Sequence, residues 1–345
     1  MYFNIKDIVY EIFKLFYLRI YFTGEKELKH LTDFINENGK KLIIFGGKGG
    51  VGKTTLASAT ALYVSRKKKK TLIMSTDPAH SVSDIYQVEP NPGKLVKVNE
   101  FLYMLEINTE QVAKDYEVHI ENQPELKLIL GDSLELVPGM SEGFGILDVN
   151  RTFVGGKDGI MFDIVILDTA PTGHTLNLLN LPEFMKGTSM RLINIRHKLG
   201  SVIDKFTSAF RRKKVEEKKA DPAEFLEKIK EWAISTKERL SNKESTLFIA
   251  VMIPEMLSIL ETERLIKQLN IYDIQVAGIY VNKFLPDTTN HECKFCERKK
   301  KTQQKNYDII KDKFEKYSPQ KIILNEEEIY GISSLDFIIT QMGLK

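Results

Sequence analysis

The side chains whose types and spacing suit chemistry are Lys48, Lys53 and Thr54 in one glycine-rich stretch, the carboxylates Asp77 and Asp168, and the pair Cys293 and Cys296. The stretch reads Lys41-Leu-Ile-Ile-Phe-Gly-Gly-Lys-Gly-Gly-Val-Gly-Lys-Thr-Thr55. Gly47, Gly52, Lys53 and Thr54 occupy the set places of the phosphate-binding pattern G-x-x-x-x-G-K-[ST]. Glycines let backbone N–H groups turn inward around an anion, and a following helix adds its positive N-terminal end. The cradle is therefore Gly46, Gly47, Lys48, Gly49, Gly50, Val51, Gly52, Lys53, Thr54 and Thr55. Lys53 can reach the β- and γ-phosphates of ATP, and the Thr54 hydroxyl can ligate Mg²⁺. A glycine-rich surface loop would match the pattern too. The apolar run Leu42 to Phe45 before it and the alanine-rich helical spacing after it (Leu56, Ala57, Ala59, Ala61, Leu62) favour the phosphate cradle.

Two carboxylates follow at strand ends. Thr71 to Ser75 reads as a strand that delivers Thr76-Asp77-Pro78-Ala79-His80 at its C-terminal edge, where open α/β sheets bind ligands. Asp77 is placed there to orient a water in line with the γ-phosphate; the alternative is a turn carboxylate, since Asp-Pro favours turns. Phe162 to Leu167 reads as a buried strand ending in Asp168-Thr-Ala-Pro-Thr-Gly-His-Thr175. An acid in that position, downstream of a phosphate loop, is the usual second carboxylate near Mg²⁺. Pro171 and Gly173 suit a loop that changes shape with the γ-phosphate, and His174 reads as a hydrogen-bonded loop residue. Asn282, closing the strand Val276 to Val281, can read adenine because its amide both donates and accepts. Cys293-Lys-Phe-Cys296 is half of a tetrahedral Zn²⁺ site. Either a twofold axis supplies two more thiolates, or the thiols are free or redox-active; His291 has unusual spacing for a third ligand.

The elements that must position these groups alternate strand and helix, which predicts a doubly wound, mostly parallel α/β sheet. Glu25 to Asn38 reads as a short helix; Leu102 to Ile107, Leu247 to Ile253 and Lys321 to Leu324 read as further strands. Glu255 follows the strand that ends at Pro254. Helical spacing over 109–140 and 184–240 predicts an α-helical insertion subdomain, with Pro138-Gly139-Met140-Ser141-Glu142 as a loop and a helix start at Asp221-Pro222. Its apolar stripes pack in a core by default, and a methionine-bearing helical surface also suits a groove for varied apolar segments. Residues 1–23 precede the predicted ATPase domain at 24–345. Ile5, Ile8, Val9, Ile12, Phe13, Phe16 and Ile20 lie there at helical spacing, interrupted by charges that do not fit a signal peptide. This predicts an amphipathic helix packed on the body or a partner, with a membrane-surface helix as the alternative.

Composition narrows the class. The net charge of +3 over 345 residues gives no strong nucleic-acid field, and no apolar run reaches bilayer length. Two closely spaced cysteines argue against a secreted disulfide framework and for a reducing, cytoplasmic setting.

The phosphate loop carries a second lysine, Lys48, in Gly-Lys-Gly-Gly-Val-Gly-Lys-Thr, the deviant form of the motif. Together with Ser75-Thr-Asp-Pro-Ala-His80, Asp168-Thr-Ala-Pro-Thr-Gly-His-Thr-Leu176, Glu261-Thr-Glu-Arg264 and Cys293-x-x-Cys296 followed by basic residues, it resembles the family of arsenite-pump and tail-anchored-protein targeting ATPases. The resemblance covers roughly residue 24 to the end. A single phosphate loop and only two thiols make the chain similar to the targeting branch. The resemblance implies a homodimer with Zn²⁺ shared by Cys293 and Cys296 of both subunits. It also implies Lys48 acting on the facing subunit's phosphates, Asp77 positioning water, and Glu255 and Asn282 near the nucleotide. Clients would be transmembrane segments, delivered to a membrane receptor. The chain departs from the pattern in Ile323-Leu-Asn-Glu-Glu-Glu-Ile329, which lacks the proline of relatives, and at Asn177, where many have arginine. An arsenite-efflux ATPase, a nucleotide-dependent holdase and a metal-cluster carrier are the competing readings.

Overall fold

The computed structural model describes residues 31–77, 81–108, 140–169, 222–287 and 293–344. Its strands are β1 (Lys41–Gly46), β2 (Thr71–Ser75), β3 (Val96–Lys97), β4 (Leu102–Glu106), β5 (Ile164–Asp168), β6 (Thr246–Met252), β7 (Val276–Phe284) and β8 (Gln320–Ile323). They form one sheet in the order β3-β4-β2-β5-β1-β6-β7-β8. Every neighbouring pair is parallel except the short edge strand β3, which runs antiparallel to β4. Parallel sheets are covered on both faces, so their strands read as unbroken apolar runs. All residues of β1, β2, β5 and β6 are buried accordingly.

The covering helices are α1 (Leu31–Asn36), α2 (Lys53–Arg66), α3 (Ser81–Tyr86), α4 (Met140–Gly155), α5 (Pro222–Ser241), α6 (Met256–Ile271), α7 (Lys294–Lys313) and α8 (Leu335–Gln341). Alternate strand residues feed two cores. Ile43, Phe45, Ile73, Ile166 and Ile249 face Leu56 and Ala57 of α2 and Leu335 and Ile338 of α8. Leu42, Ile44, Met74, Leu167 and Ala250 face Phe153 of α4, Leu240 of α5, Ile259 of α6 and Ile310 of α7. The buried Lys41 ties α1 to the sheet: its Nζ lies 2.8 Å from Glu37 Oε2, 2.7 Å from the Glu244 carbonyl and 4.6 Å from the Phe34 ring centre. Strand order reverses at β1, which sits between β5 and β6, so the crevice for a ligand opens at its carboxyl end.

Two sequence expectations are corrected. Met140 to Glu142 begin α4 instead of forming a loop; glycines at 139, 143, 145 and 155 mask a helix whose Val149 and Phe153 are packed in the core. The strand expected to end at Val281 continues to Phe284, so Asn282 and Lys283 lie within β7. The helix α5 begins with Pro222 at its first position, as its sequence predicts. The expected extension at 1–23, the helical patterns over 109–139 and 184–210, and Pro78, His80, His174, Asn177 and His291 lie outside the described residues. No helix among the described residues is long and apolar enough to cross a membrane.

Candidate nucleotide site

The loop between β1 and α2 takes a shape that only glycine allows at two points. Gly47 lies so close to β6 that an added Cβ would stand 2.1 Å from the Val251 carbonyl oxygen. Gly52 has φ +97°, and a Cβ there would stand 2.2 Å from Asn282 Nδ2. Three of the loop's carbonyls are held by side chains. Lys53 Nζ donates to the Lys48 carbonyl at 3.2 Å, Lys283 Nζ to the Gly50 carbonyl at 2.7 Å, and Asn282 Nδ2 to the Val51 carbonyl at 2.9 Å. A planar trans peptide points its N–H opposite its C=O. Carbonyls fixed in this way therefore also fix the directions of the adjoining N–H groups, the donors that an anion uses.

Lys53, Thr54 and Asp168 meet behind this loop. Thr54 Oγ1 donates to Asp168 Oδ2 at 2.8 Å, and Ser75 Oγ reaches the same oxygen at 3.3 Å. The strand register sets this contact, because Ser75 of β2 lies level with Asp168 of β5 and Glu106 of β4. The other oxygen of Asp168 is buried without a hydrogen-bond partner among the described residues. Burial pushes the Asp168 carboxyl up to about 6, against the pull of Thr54 and Lys53, with the nearby Asp77 charge pushing the same way as burial. Burial also lowers the Lys53 ammonium, opposed by Asp168 and Asp77. Burial thus works against the charged form of each, and an anion beside Lys53 with a cation beside Asp168 would offset it.

Asp77 stands two residues beyond β2, its N–H bonded to Ser75 Oγ at 3.2 Å. After 78–80 the chain resumes in α3, where the Ser83 N–H donates to Glu106 Oε1 at 3.0 Å. The buried Glu106 thus ties the first turn of α3 to the sheet. Sequence reasoning missed Ser75, Glu106 and Lys283 as members of the site. Only their positions at strand ends signal them, and Lys283 stands next to Asn282.

The remaining expected residues lie along one flank. Lys48 Nζ is 3.6 Å from Glu261 Oε1 on α6, half-exposed. Glu255 stands at the residue before α6 without a side-chain capping bond, and pairs instead with Lys299 of α7 at 3.0 Å. Asn282 spends its amide within the protein: Nδ2 on Val51, and Oδ1 on the Lys283 N–H at 2.8 Å. Cys293 and Cys296 stand at the first turn of α7 and are joined to each other as a disulfide, with the Cys296 N–H directed at Cys293 Sγ at 3.2 Å. No cluster of three or more His, Cys, Asp or Glu able to hold a metal occurs among the described residues.

A glycine-rich cradle at the switch point of a parallel sheet, followed by Lys53 and Thr54 and faced by Asp168, defines a phosphate-loop nucleoside triphosphatase. The model of the anion-transporting ATPase family matches residues 40–343. The chain is 32% identical to "ATPase GET3B" of Arabidopsis thaliana over 338 residues, covering 90% of this chain and 80% of that protein. It is 32% identical to "ATPase ASNA1 homolog 2" of Paramecium tetraurelia over 312 residues, covering 88% and 94% of the two chains. It is likewise 32% identical to "ATPase GET3" of Debaryomyces hansenii over 322 residues, covering 88% and 90%. The chain belongs to the anion-transporting ATPase family. It is an ATP-hydrolysing enzyme of that family, in the group of the GET3 and ASNA1 ATPases.

Proposed function

We propose that this ATPase works as a cytoplasmic homodimer that binds the transmembrane segments of tail-anchored proteins and delivers them to a membrane receptor. The observation that carries the dimer is the position of Lys48. Lys53 already stands behind the loop, while Lys48 points away along α6. Met256, Leu257 and Leu260 are exposed on that same helix, beside Glu261. A second copy meeting this flank would cover the apolar side chains and bring Lys48 to the facing phosphates.

ATP binds with its phosphates in the cradle and Lys53 on the β- and γ-oxygens. The donor set fits Mg²⁺: Thr54 Oγ1 and the buried, unpartnered oxygen of Asp168 are hard oxygen ligands. Bound there, Mg²⁺ would neutralise charge on the phosphate oxygens. Asp77 orients the attacking water, its N–H held on Ser75. Glu255 and Asn282 border the nucleotide. Reduced Cys293 and Cys296 from each copy would supply four thiolates for a shared Zn²⁺, a set that one chain alone lacks. The helical subdomain built from about 109–140 and 184–240 forms the client groove.

The test is co-expression with a protein ending in a single transmembrane segment. A soluble complex that requires ATP and is lost in Lys53→Ala supports the reading. Capture undiminished in Lys53→Ala would make the protein a holdase, and hydrolysis stimulated by arsenite without client capture would make it an efflux ATPase.

A further inference from the structure

Strand β7 is flanked by β6 and β8, yet at its first residues one face is only partly covered among the described residues. Ala277 and Gly278 are only half-buried there, whereas Val276, Ile279 and Tyr280 around them are buried. An interior strand of a parallel sheet needs cover on both faces. The register slips at this point: Phe248 pairs with Val276 and Ile249 with Gly278, which leaves Ala277 as the extra residue of a bulge. Among the described residues, a Cβ added at Gly278 would meet only the Tyr317 carbonyl oxygen, at 3.9 Å, so a side chain would fit there without displacing a neighbour. A glycine and a bulge within a strand mark a place where another segment approaches closely. The space is a trough of about 660 Å³ floored by Leu247, Ile249, Ala277 and Gly278, with Leu31 on its wall. Lys243, Asp273, Glu315 and Lys316 supply charges of both signs at its rim.

The geometry points to residues 1–22 of the same chain as the cover. Leu31, which lines the trough, is where the described chain starts, and residues 1–30 run directly into it. Residues 23–30 span at most about 28 Å fully extended, so the preceding segment is tethered at the trough's edge. Ile5, Ile8, Val9, Ile12, Phe13 and Phe16 follow helical spacing, one apolar stripe with Lys6, Asp7, Glu11 and Lys14 beside it. The stripe matches the apolar floor, and the mixed charges match the mixed rim. A short tether holds such a segment at an effective concentration on the order of millimolar, which favours its own trough over a second copy's.

The experiment uses the full chain with a photo-reactive phenylalanine analogue at Phe13, in a mixture of isotopically heavy and light protein. Crosslinks to 274–280 or 315–320 within one isotopic form are expected. In a companion variant, Ile12→Asp with Phe13→Asp, amide exchange should rise by about tenfold or more at 276–280 while β1 stays protected. Crosslinks joining heavy to light chains, crosslinks found only to lipid when anionic vesicles are added, or unchanged exchange in the double variant would each overturn the assignment.

Discussion

Gly52→Ala is the substitution that probes the site most directly, because two separate costs meet there. The residue lies at φ +97°, a left-handed conformation that costs a non-glycine residue about 1–2 kcal/mol. The new methyl would also stand 2.2 Å from Asn282 Nδ2, the atom that holds the Val51 carbonyl. Moving that amide leaves a buried acceptor unsatisfied, worth about 1–3 kcal/mol. The single variant should therefore lose about 2–5 kcal/mol of stability. Asn282→Ala alone should lose about 1–3 kcal/mol, since it empties the same contact. In the double variant the overlapping atom is gone and Gly52→Ala adds only its backbone strain, so the two losses should fall short of additive by about 1–3 kcal/mol. Gly50→Ala is the control: φ is +75°, but nothing lies within 4 Å of its added Cβ, so its loss should simply add to that of Asn282→Ala. Urea unfolding of the nucleotide-free protein measures the three single variants and both double variants. Additivity of Gly52→Ala with Asn282→Ala within about 0.5 kcal/mol would refute the claim that Asn282 clamps the loop.

Asp168 carries a pH signature: its carboxyl sits at about 6 when folded, above the ordinary 3.8, so its contribution to stability is complete below about 3.8 and is lost as pH rises through 6. Relative to Asp168→Asn, the nucleotide-free parent should gain about 2.4 kcal/mol on acidification from pH 7 to 4, and a gap independent of pH would contradict burial as the dominant cause. Lys283→Ala frees the Gly50 carbonyl; the KM for ATP should rise about threefold to tenfold with kcat little changed, and steady-state hydrolysis with an unaltered KM would remove Lys283 from the site. Asp77→Asn should bind ATP like the parent and hydrolyse it on the order of a hundredfold more slowly, while hydrolysis at the parent rate would end its assignment to the water.

What is legible in the amino-acid sequence is what local rules encode. The phosphate loop shows itself through glycine spacing between a strand and a helix, and the buried strands through unbroken apolar runs such as Leu247 to Met252. Expectations weaken where local and tertiary signals disagree. Helix α4 carries glycines that lower its propensity, and packing of Val149 and Phe153 overrides them. In the sequence Asn282 reads as the end of a strand with its amide open to adenine, yet the amide is engaged with Val51, 231 residues away. Such a contact depends on β7 lying two strands from β1, which no window of sequence contains. Ser75 and Glu106 are illegible for the same reason, since only the register of β2 against β4 and β5 brings them level with Asp168.

The two lysines of the loop differ in the physics that holds them, and that difference bears on how nucleotide acts. Lys53 is buried, its ammonium weakened by desolvation and resting on the Lys48 carbonyl, so an arriving phosphate replaces a neutral acceptor with an anion and restores the charge's preference. Lys48 is half-exposed in a long ion pair with Glu261, a contact worth well under about 1 kcal/mol in solvent. The buried lysine therefore ties nucleotide affinity to its own loop, where preorganised carbonyl clamps on Gly50 and Val51 leave little to rearrange. The exposed one is held so weakly that any stronger anion within its reach will take it. In the proposed dimer a facing triphosphate would be such an anion, and Met256, Leu257 and Leu260, exposed on the helix that carries Glu261, would then be covered by the second copy.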